Sequence, residues 1–286
     1  MTTYGLRRRA ANFGLAAAAL LLAGIANWPT AALTPANELA VHRAVYDLRL
    51  AQIRGKATAV AARGRILYNF SGSACEGYAL EFRQVAELDN GEGRVTLSDL
   101  RSTTWEEGEG KSYRFSSENY LNQRLVDTVD GKAERNTGMV AVALTKPKEH
   151  KLDLDATIVF PTEHVRRIVT AAREGKTILE MPIYDGSESG QKVYNTLTVI
   201  GREIAAEKVP SDAAARQKAL AGMKRWPVTV SYFDRAAKSG EQLPVYSISF
   251  ELYENGVSRA LVLDYNDFSI AGELTTLEIK DSKPCP

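Results

Sequence analysis

Apolar and polar residues alternate one by one through much of this chain, and a period of two leaves few folds open. Tyr46, Leu48 and Leu50 share one parity, while Asp47 and Arg49 share the other. Tyr78, Leu80 and Phe82 alternate with Glu81 and Arg83; Val95 and Leu97 precede Asp99; Tyr113 and Phe115 repeat the habit. Adjacent side chains of a strand point to opposite faces, so each segment predicts a strand with one apolar and one wet side. Antiparallel sheets with one solvated face have this pattern.

The C-terminal third predicts the clearest hairpin. Tyr246, Ile248, Phe250 and Leu252 alternate with Ser247, Ser249 and Glu251, then Glu254-Asn255-Gly256 intervenes before Leu261, Leu263 and Tyr265. Asn-Gly suits a tight two-residue turn with positive φ angles. Further bends are expected near Asn266-Asp267 and Ala271-Gly272, making residues 226–280 a meander of three to five strands. Two helices interrupt the strands. Thr162 caps the first, Val165, Ile168, Val169 and Ala172 form its apolar stripe, and Gly175 ends it. Ser211 caps the second, Asp212 to Met223, between Pro210 and Pro227. Helices this sparse do not build βαβ units. The expectation is a mainly β chain: one large antiparallel sheet of ten or more strands, with two or more short helices packed on it.

The N-terminus predicts export. Arg7, Arg8 and Arg9 precede a nearly unbroken apolar run from Phe13 to Ala26, and small residues follow up to Ala32. Basic, apolar, then small is the order of a secretory signal peptide. The run of about fourteen residues falls short of the roughly twenty that a membrane span needs. Cleavage is expected after Ala32, with residues 1–32 as leader and 33–286 as a single β-rich domain in the periplasm. Without Arg7, Arg8 and Arg9, the 36 Lys plus Arg become 33 against 35 Asp plus Glu, a net charge of −2. That balance gives no electrostatic case for nucleic acid, which wants a clustered basic face.

Cys75 and Cys285 are the two cysteines. In an oxidising compartment a disulfide is the default, with two unrelated thiols as the other reading. The loop would be worth roughly 5 kcal/mol by chain entropy, before any strain. No C-x-x-C pair and no zinc-ligand spacing occurs.

The search for chemistry is mostly negative. His42 opens a strand, His150 sits in a charged loop and His164 falls in the first helical turn. No G-x-S-x-G elbow places a serine, and phosphate-loop and dinucleotide fingerprints are absent, so no cofactor and no metal is expected. Asp153 and Asp155 share a strand face with Lys151 and read as a solvated edge. Asp89 to Gly93, Glu106 to Gly110 and Asp185 to Gly190 read as exposed hairpin ends; the last lacks the spaced acids of a calcium loop. A large curved sheet can fill its apolar concave face or leave a groove for a lipid, an acyl chain or a partner segment. Tyr46, Leu48, Leu80, Phe82 and Leu97 would line either.

Several stretches together carry a resemblance. His42-Arg43-Ala44-Val45-Tyr46-Asp47-Leu48, Cys75-Glu76-Gly77-Tyr78, Tyr184-Asp185-Gly186-Ser187, Leu252-Tyr253-Glu254-Asn255-Gly256 and Leu263-Asp264-Tyr265-Asn266-Asp267-Phe268 stand in order ahead of Cys285. In order and spacing the chain resembles the EipB family of periplasmic cell-envelope integrity proteins, formerly a domain of unknown function. The resemblance spans nearly all of the chain after the leader. It implies a twisted, spiral-like antiparallel sheet with helices against it, similar in outline to lipoprotein carriers. It also implies a Cys75–Cys285 disulfide, no catalytic residues, and a periplasmic partner such as a tetratricopeptide-repeat protein. Fold likeness to carriers does not give carrier function. The leading expectation is therefore a non-enzymatic binder of an envelope or periplasmic protein. A carrier of lipid or lipoprotein is the alternative, and an envelope hydrolase built on His42 or His164 is a third.

Overall fold

The computed structural model describes residues 38–54, 60–236 and 243–281; the expected leader over residues 1–32 and Cys285 lie outside them. The strands are β1 (His42–Ile53), β2 (Ala61–Ser73), β3 (Gly77–Asp89), β4 (Val95–Glu106), β5 (Ser112–Leu121), β6 (Arg124–Asn136), β7 (Met139–Lys146) and β8 (His150–Asp155). Helix α1 (Pro161–Arg173) follows, then β9 (Ile178–Ile183), β10 (Tyr194–Ile200), β11 (Arg225–Asp234), β12 (Tyr246–Tyr253), β13 (Ser258–Asp264) and β14 (Phe268–Ile279). All fourteen belong to one unit, residues 35–286.

They form one sheet in the order β8-β7-β6-β5-β4-β3-β2-β1-β14-β13-β12-β11-β10-β9. The ladders are antiparallel, and sequence neighbours are sheet neighbours, as hairpin connections dictate. Two places break that rule. The last strand returns to pair with the first, His42 opposite Ile279. Between β8 and β9 no ladder forms, and the sheet stays open there. Across that seam Val159 and Ile183 make one parallel bridge. The Val159 N–H donates to the Pro182 carbonyl at 2.9 Å, and the Tyr184 N–H donates to the Val159 carbonyl at 3.1 Å.

Register shows which parity faces in. Tyr46 lies opposite Ile66, Ile66 opposite Gln84, Gln84 opposite Leu100 and Leu100 opposite Asn119. On that face α1 packs Ile168, Val169, Ala171 and Ala172 against Ile200, Trp226, Val228, Val230 and Leu252. Its Val165 also reaches the cluster of Leu39, Phe70 and Tyr78. Strands as far apart in the order as β2 and β11 touch one helix only if the sheet curls around it. The opposite face carries ion pairs over β1–β6, such as Arg65–Asp47 at 2.7 Å and Arg83–Asp99 at 2.8 Å. These exposed pairs are each worth ~0–1 kcal/mol.

Four local expectations change. The segment expected as a second helix, Asp212 to Met223, holds two short 3-10 turns, Ala213–Arg216 and Lys218–Leu220, parted by an extended Gln217 at ψ 153°. Tertiary contacts override its helix propensity. Asp212 is drawn to the Leu274 N–H and to Arg259, and the Gln217 amide donates to the Ala214 and Leu277 carbonyls. In α1 the cap is not Thr162: Phe160 takes the cap position with no side-chain cap bond. The Asn255-Gly256 hairpin has a three-residue loop, because the Tyr253 N–H bonds the Val257 carbonyl and only Gly256 takes a positive φ, +87°. No bend occurs at Ala271-Gly272; β14 runs straight through, paired to β1 on one side and β13 on the other. Gly272 serves instead to let Leu48 and Leu261 close over the backbone.

Candidate functional site

The curled face is the candidate site, and its wall is built from alternate residues of nearly every strand. Tyr46 and Leu48 are buried in the core with Ala44, Ile66, Leu263 and Leu274; Phe82 packs on the edge of that cluster. Leu80 packs beside Phe70 and Tyr78. The Tyr46 hydroxyl donates to the Ser258 carbonyl at 2.8 Å, and burial pushes the phenol up to about 12. Leu97 stands elsewhere. It lies opposite Glu87 and lines an outer-face groove with Asp47, Arg63 and Arg65. Val95 to Asp99 alternates, but parity alone cannot say which of two faces is inside.

A buried carboxylate anchors the helix that occupies this face. Glu106, 1 % exposed at the end of β4, accepts the backbone N–H groups of Thr162 and Glu163, each at 2.7 Å. These are two of the donors that a helix N-terminus leaves without intrahelical partners. Burial pushes the Glu106 carboxyl up to about 7, against the pull of those two N–H groups. Arg135 binds the same region, donating to the Ala156 and Ile158 carbonyls and pairing with Glu163 at 3.3 Å. The expected exposed turn at Glu106 to Gly110 is thus a buried junction.

The Asp185 to Gly190 loop is also no exposed hairpin end. It turns in over β5–β7. A Cβ on Gly186, whose φ is +70°, would meet the Phe115 ring at 2.3 Å; one on Gly190 would meet Leu144 and Val129 at 2.8 Å. Tyr113 donates to the Asp185 carbonyl at 2.9 Å and Tyr184 to the Gly190 carbonyl at 2.6 Å. Beside the loop, Tyr232 and Tyr246 stack with centroids 4.4 Å apart, and Tyr194 stands nearly perpendicular to both at 5.9 and 6.1 Å. Burial raises the pKa of Asp185, Tyr232, Tyr246 and Tyr68, yet each keeps part of its surface accessible. Only Asp89 to Gly93 is the exposed end expected of it.

The histidines do not converge. His42 is buried, donates from Nδ1 to the Ala40 carbonyl at 2.7 Å and stacks on Tyr68; burial lowers its pKa. His150 is exposed at the start of the edge strand β8. His164 is buried, with burial and then Arg167 lowering it to about 4; its Nε2 lies 3.5 Å from the Thr198 hydroxyl, beyond a good hydrogen bond. A triad also needs an acid that orients the base, and the described bonds of His164 include none. Among the described residues no group of three or more His, Cys, Asp or Glu gathers as a metal site, and no helix is long and apolar enough to cross a membrane.

A buried ionic network is the other feature that sequence reasoning missed. Arg259, 4 % exposed, pairs with Asp212 at 2.8 Å and with Glu251, which also pairs with Arg225 at 3.0 Å. Its origin is a bulge: β13 slips register between Ser249 and Glu251 of β12, at Ala260 with φ +52°. Neither that slip nor the long-range partners of Glu106 and Asp185 leave a signal in local residue order.

Comparison with known proteins places this architecture. A family model described as EipB-like matches residues 33–281. The cell envelope integrity protein EipB of Brucella abortus (strain 2308) is 37 % identical over 266 residues, covering 93 % of this chain and 92 % of that protein. A crystal structure described as a beta-barrel-like protein of domain of unknown function DUF1849, from Brucella abortus, superposes with a TM-score of 0.78 at 38 % identity. It covers 85 % of this chain and 99 % of that one.

Proposed function

The chain belongs to the EipB-like family, and from that premise we propose that it is a non-enzymatic periplasmic protein that supports cell-envelope integrity by binding a protein partner. The observation that carries this is identity of 37 % with a cell envelope integrity protein across 93 % of the chain. The leader expected over residues 1–32 supplies the route to the periplasm.

Two features support a partner surface. A strand can be added only where a sheet has a free edge, and among the described residues the free edges are β8 and β9. Exposed Lys151, Asp153 and Asp155 guard β8, as charges guard edges elsewhere. The outward side of β9–β12 carries exposed Glu180, opposite Leu197, and the arginine-paired Glu251. It presents Ile178 (60 % exposed), Val199, Leu197 and Phe233. Beside them, Thr229–Ser249 and Ser231–Ser247 pair their hydroxyls at 2.8 and 2.9 Å. A tetratricopeptide-repeat protein is the partner class we favour. A photo-crosslinking residue at Val199 should trap one protein in intact envelopes, whereas one at Glu81, on the charged outer face, should not. Equal labelling from both positions would sink the assignment.

The second reading, carriage of a lipid or lipoprotein, draws on the partly accessible Tyr68, Phe82, Tyr232 and Tyr246. Native mass spectrometry of the purified protein should then show a co-purifying lipid, and protein that is uniformly empty would remove this reading.

A further inference from the structure

We propose that a groove on the outer face of β4–β7 binds an acidic sugar residue, with Arg114 and Lys132 taking its carboxylate and Asp130, Thr103 and Ser116 taking its hydroxyls. The groove lies on the opposite side of the sheet from α1, and the inference rests on neither functional reading above.

The groove has a volume of about 430 Å³, within the range of small-molecule sites. Register puts it on the outer face. Trp105 shares the parity of the ion-paired Asp99 on β4. Trp105, Arg114, Lys132 and Ala143 stand in one cross-strand row, and Thr103, Ser116 and Asp130 stand in the next. Ser116, Gly131 and Ala143 are short, which leaves a depression among the longer lining residues. A bulge shapes one end of it. Asp130 lies opposite Lys146 but Gly131 lies opposite Leu144, so Thr145 is an extra residue on β7. Bulges re-aim side chains, and the Thr145 hydroxyl donates to the Asp130 carboxylate.

Charge selects the ligand. Arg114 and Lys132 lie directly opposite each other, and like charges so placed destabilise a sheet. Glu134 reaches Lys132 at 3.0 Å, but their side chains are 52 % and 56 % exposed, and such a pair is worth little. Arg114 has no acid at all. Among the described residues it meets only the Trp105 ring, with its guanidinium 5.1 Å from the centroid. Gly77 makes room for that indole, since a Cβ there would come within 2.6 Å of it. Contact with an aromatic ring positions a guanidinium and leaves its N–H fork for an anion, and a carboxylate matches that fork with two parallel bonds. A bare anion would use only the cations. The rest of the lining is hydroxyl-rich: Thr103 and Ser116 make no described side-chain hydrogen bond. Asp130 has lone pairs beyond those that Thr145 occupies. A carboxylate there repels a second anion but accepts the hydroxyls of a sugar. One carboxylate and several hydroxyls on a single ring describe a hexuronic acid.

NMR titration of the full chain with glucuronate, glucose and acetate tests the two halves of the site. Glucuronate should bind at least about tenfold more tightly than either, because glucose lacks the anion and acetate lacks the hydroxyls. Arg114→Gln should weaken glucuronate about tenfold, and Lys132→Gln should weaken it too. Arg83→Gln, which opens an ion pair elsewhere on the same face, should leave the affinity unchanged. Arg114 and Lys132 are both exposed, so unchanged melting temperatures should accompany the weaker binding. A glucuronate-containing oligosaccharide that binds more tightly than the monosaccharide identifies a polysaccharide as the source; equal affinity identifies a free sugar. No binding of glucuronate, acetate or glucose binding as tightly as glucuronate, or an unchanged Arg114→Gln affinity would overturn the proposal.

Discussion

Glu106 and Thr162, 56 residues apart in sequence, meet in one hydrogen bond of 2.7 Å, with the Glu163 N–H on the second carboxylate oxygen. A strand end thereby caps the helix that the curled sheet encloses. Removing the acceptor leaves two donors without a partner. Glu106→Ala should cost about 2–4 kcal/mol in urea or thermal unfolding, and a loss under ~0.5 kcal/mol would mean that water replaces the cap at no cost.

The same carboxyl sets a pH dependence. Its pKa in the folded state, about 7, lies above the ordinary 4.5. Between those values the folded state keeps a proton that the unfolded chain releases. The contribution to stability is therefore full below about pH 4.5, falls through the window and is gone above about pH 7, a change of roughly 3 kcal/mol. Glu106→Gln has no proton to lose. Unfolding free energies of wild type minus Gln variant should fall by about that amount across the window, and a constant difference would contradict the assignment.

Gly186 joins positive φ to a close approach. Gly186→Ala forces a Cβ into the Phe115 ring and a left-handed backbone on alanine. The expected loss is about 2–4 kcal/mol. Gly138→Ala, also at positive φ but with nothing within 4 Å, separates the two effects and should cost only about 1–2 kcal/mol.

Arg259→Met should be among the most damaging single changes. It strands Asp212 and part of Glu251 without a partner in a buried setting, at about 3–5 kcal/mol. Asp212→Asn combined with Arg259→Met should recover part of that loss in a double-mutant cycle. Strict additivity would show that the pair is not coupled.

Cys75 stands between β2 and β3, and its proposed pairing with Cys285 would fasten the C-terminus to that hairpin. Cys75→Ser should lower the melting temperature and protease resistance under non-reducing conditions, by up to roughly 5 kcal/mol of stability. An unchanged melting temperature would count against the bond.

The strands, the antiparallel class and the meander of the last four strands were legible in residue order, because a period of two is a local property that solvation of one face imposes. Helix α1 was legible too, through its apolar stripe. Its cap was not: Thr162 has a capping side chain but stands second inside the helix, and a carboxylate from β4, delivered by tertiary folding, accepts the N–H groups there. The second helix failed for the same reason, since the partners of Asp212 and Gln217 come from β13 and β14. Leu97 failed differently, because alternation fixes parity and leaves the choice of face to the whole sheet. The family motifs that include Asp185-Gly186 marked the loop, but nothing local said that it turns inward.

Residue order alone determined that this chain makes a sheet with one wet face, since side chains two apart must share a side and water selects which residues that side can bear. Only the tertiary structure decided where the sheet stays open and which acids lose their solvent. Those outcomes depend on contacts between residues tens of positions apart, and burial, unlike periodicity, belongs to the assembled molecule.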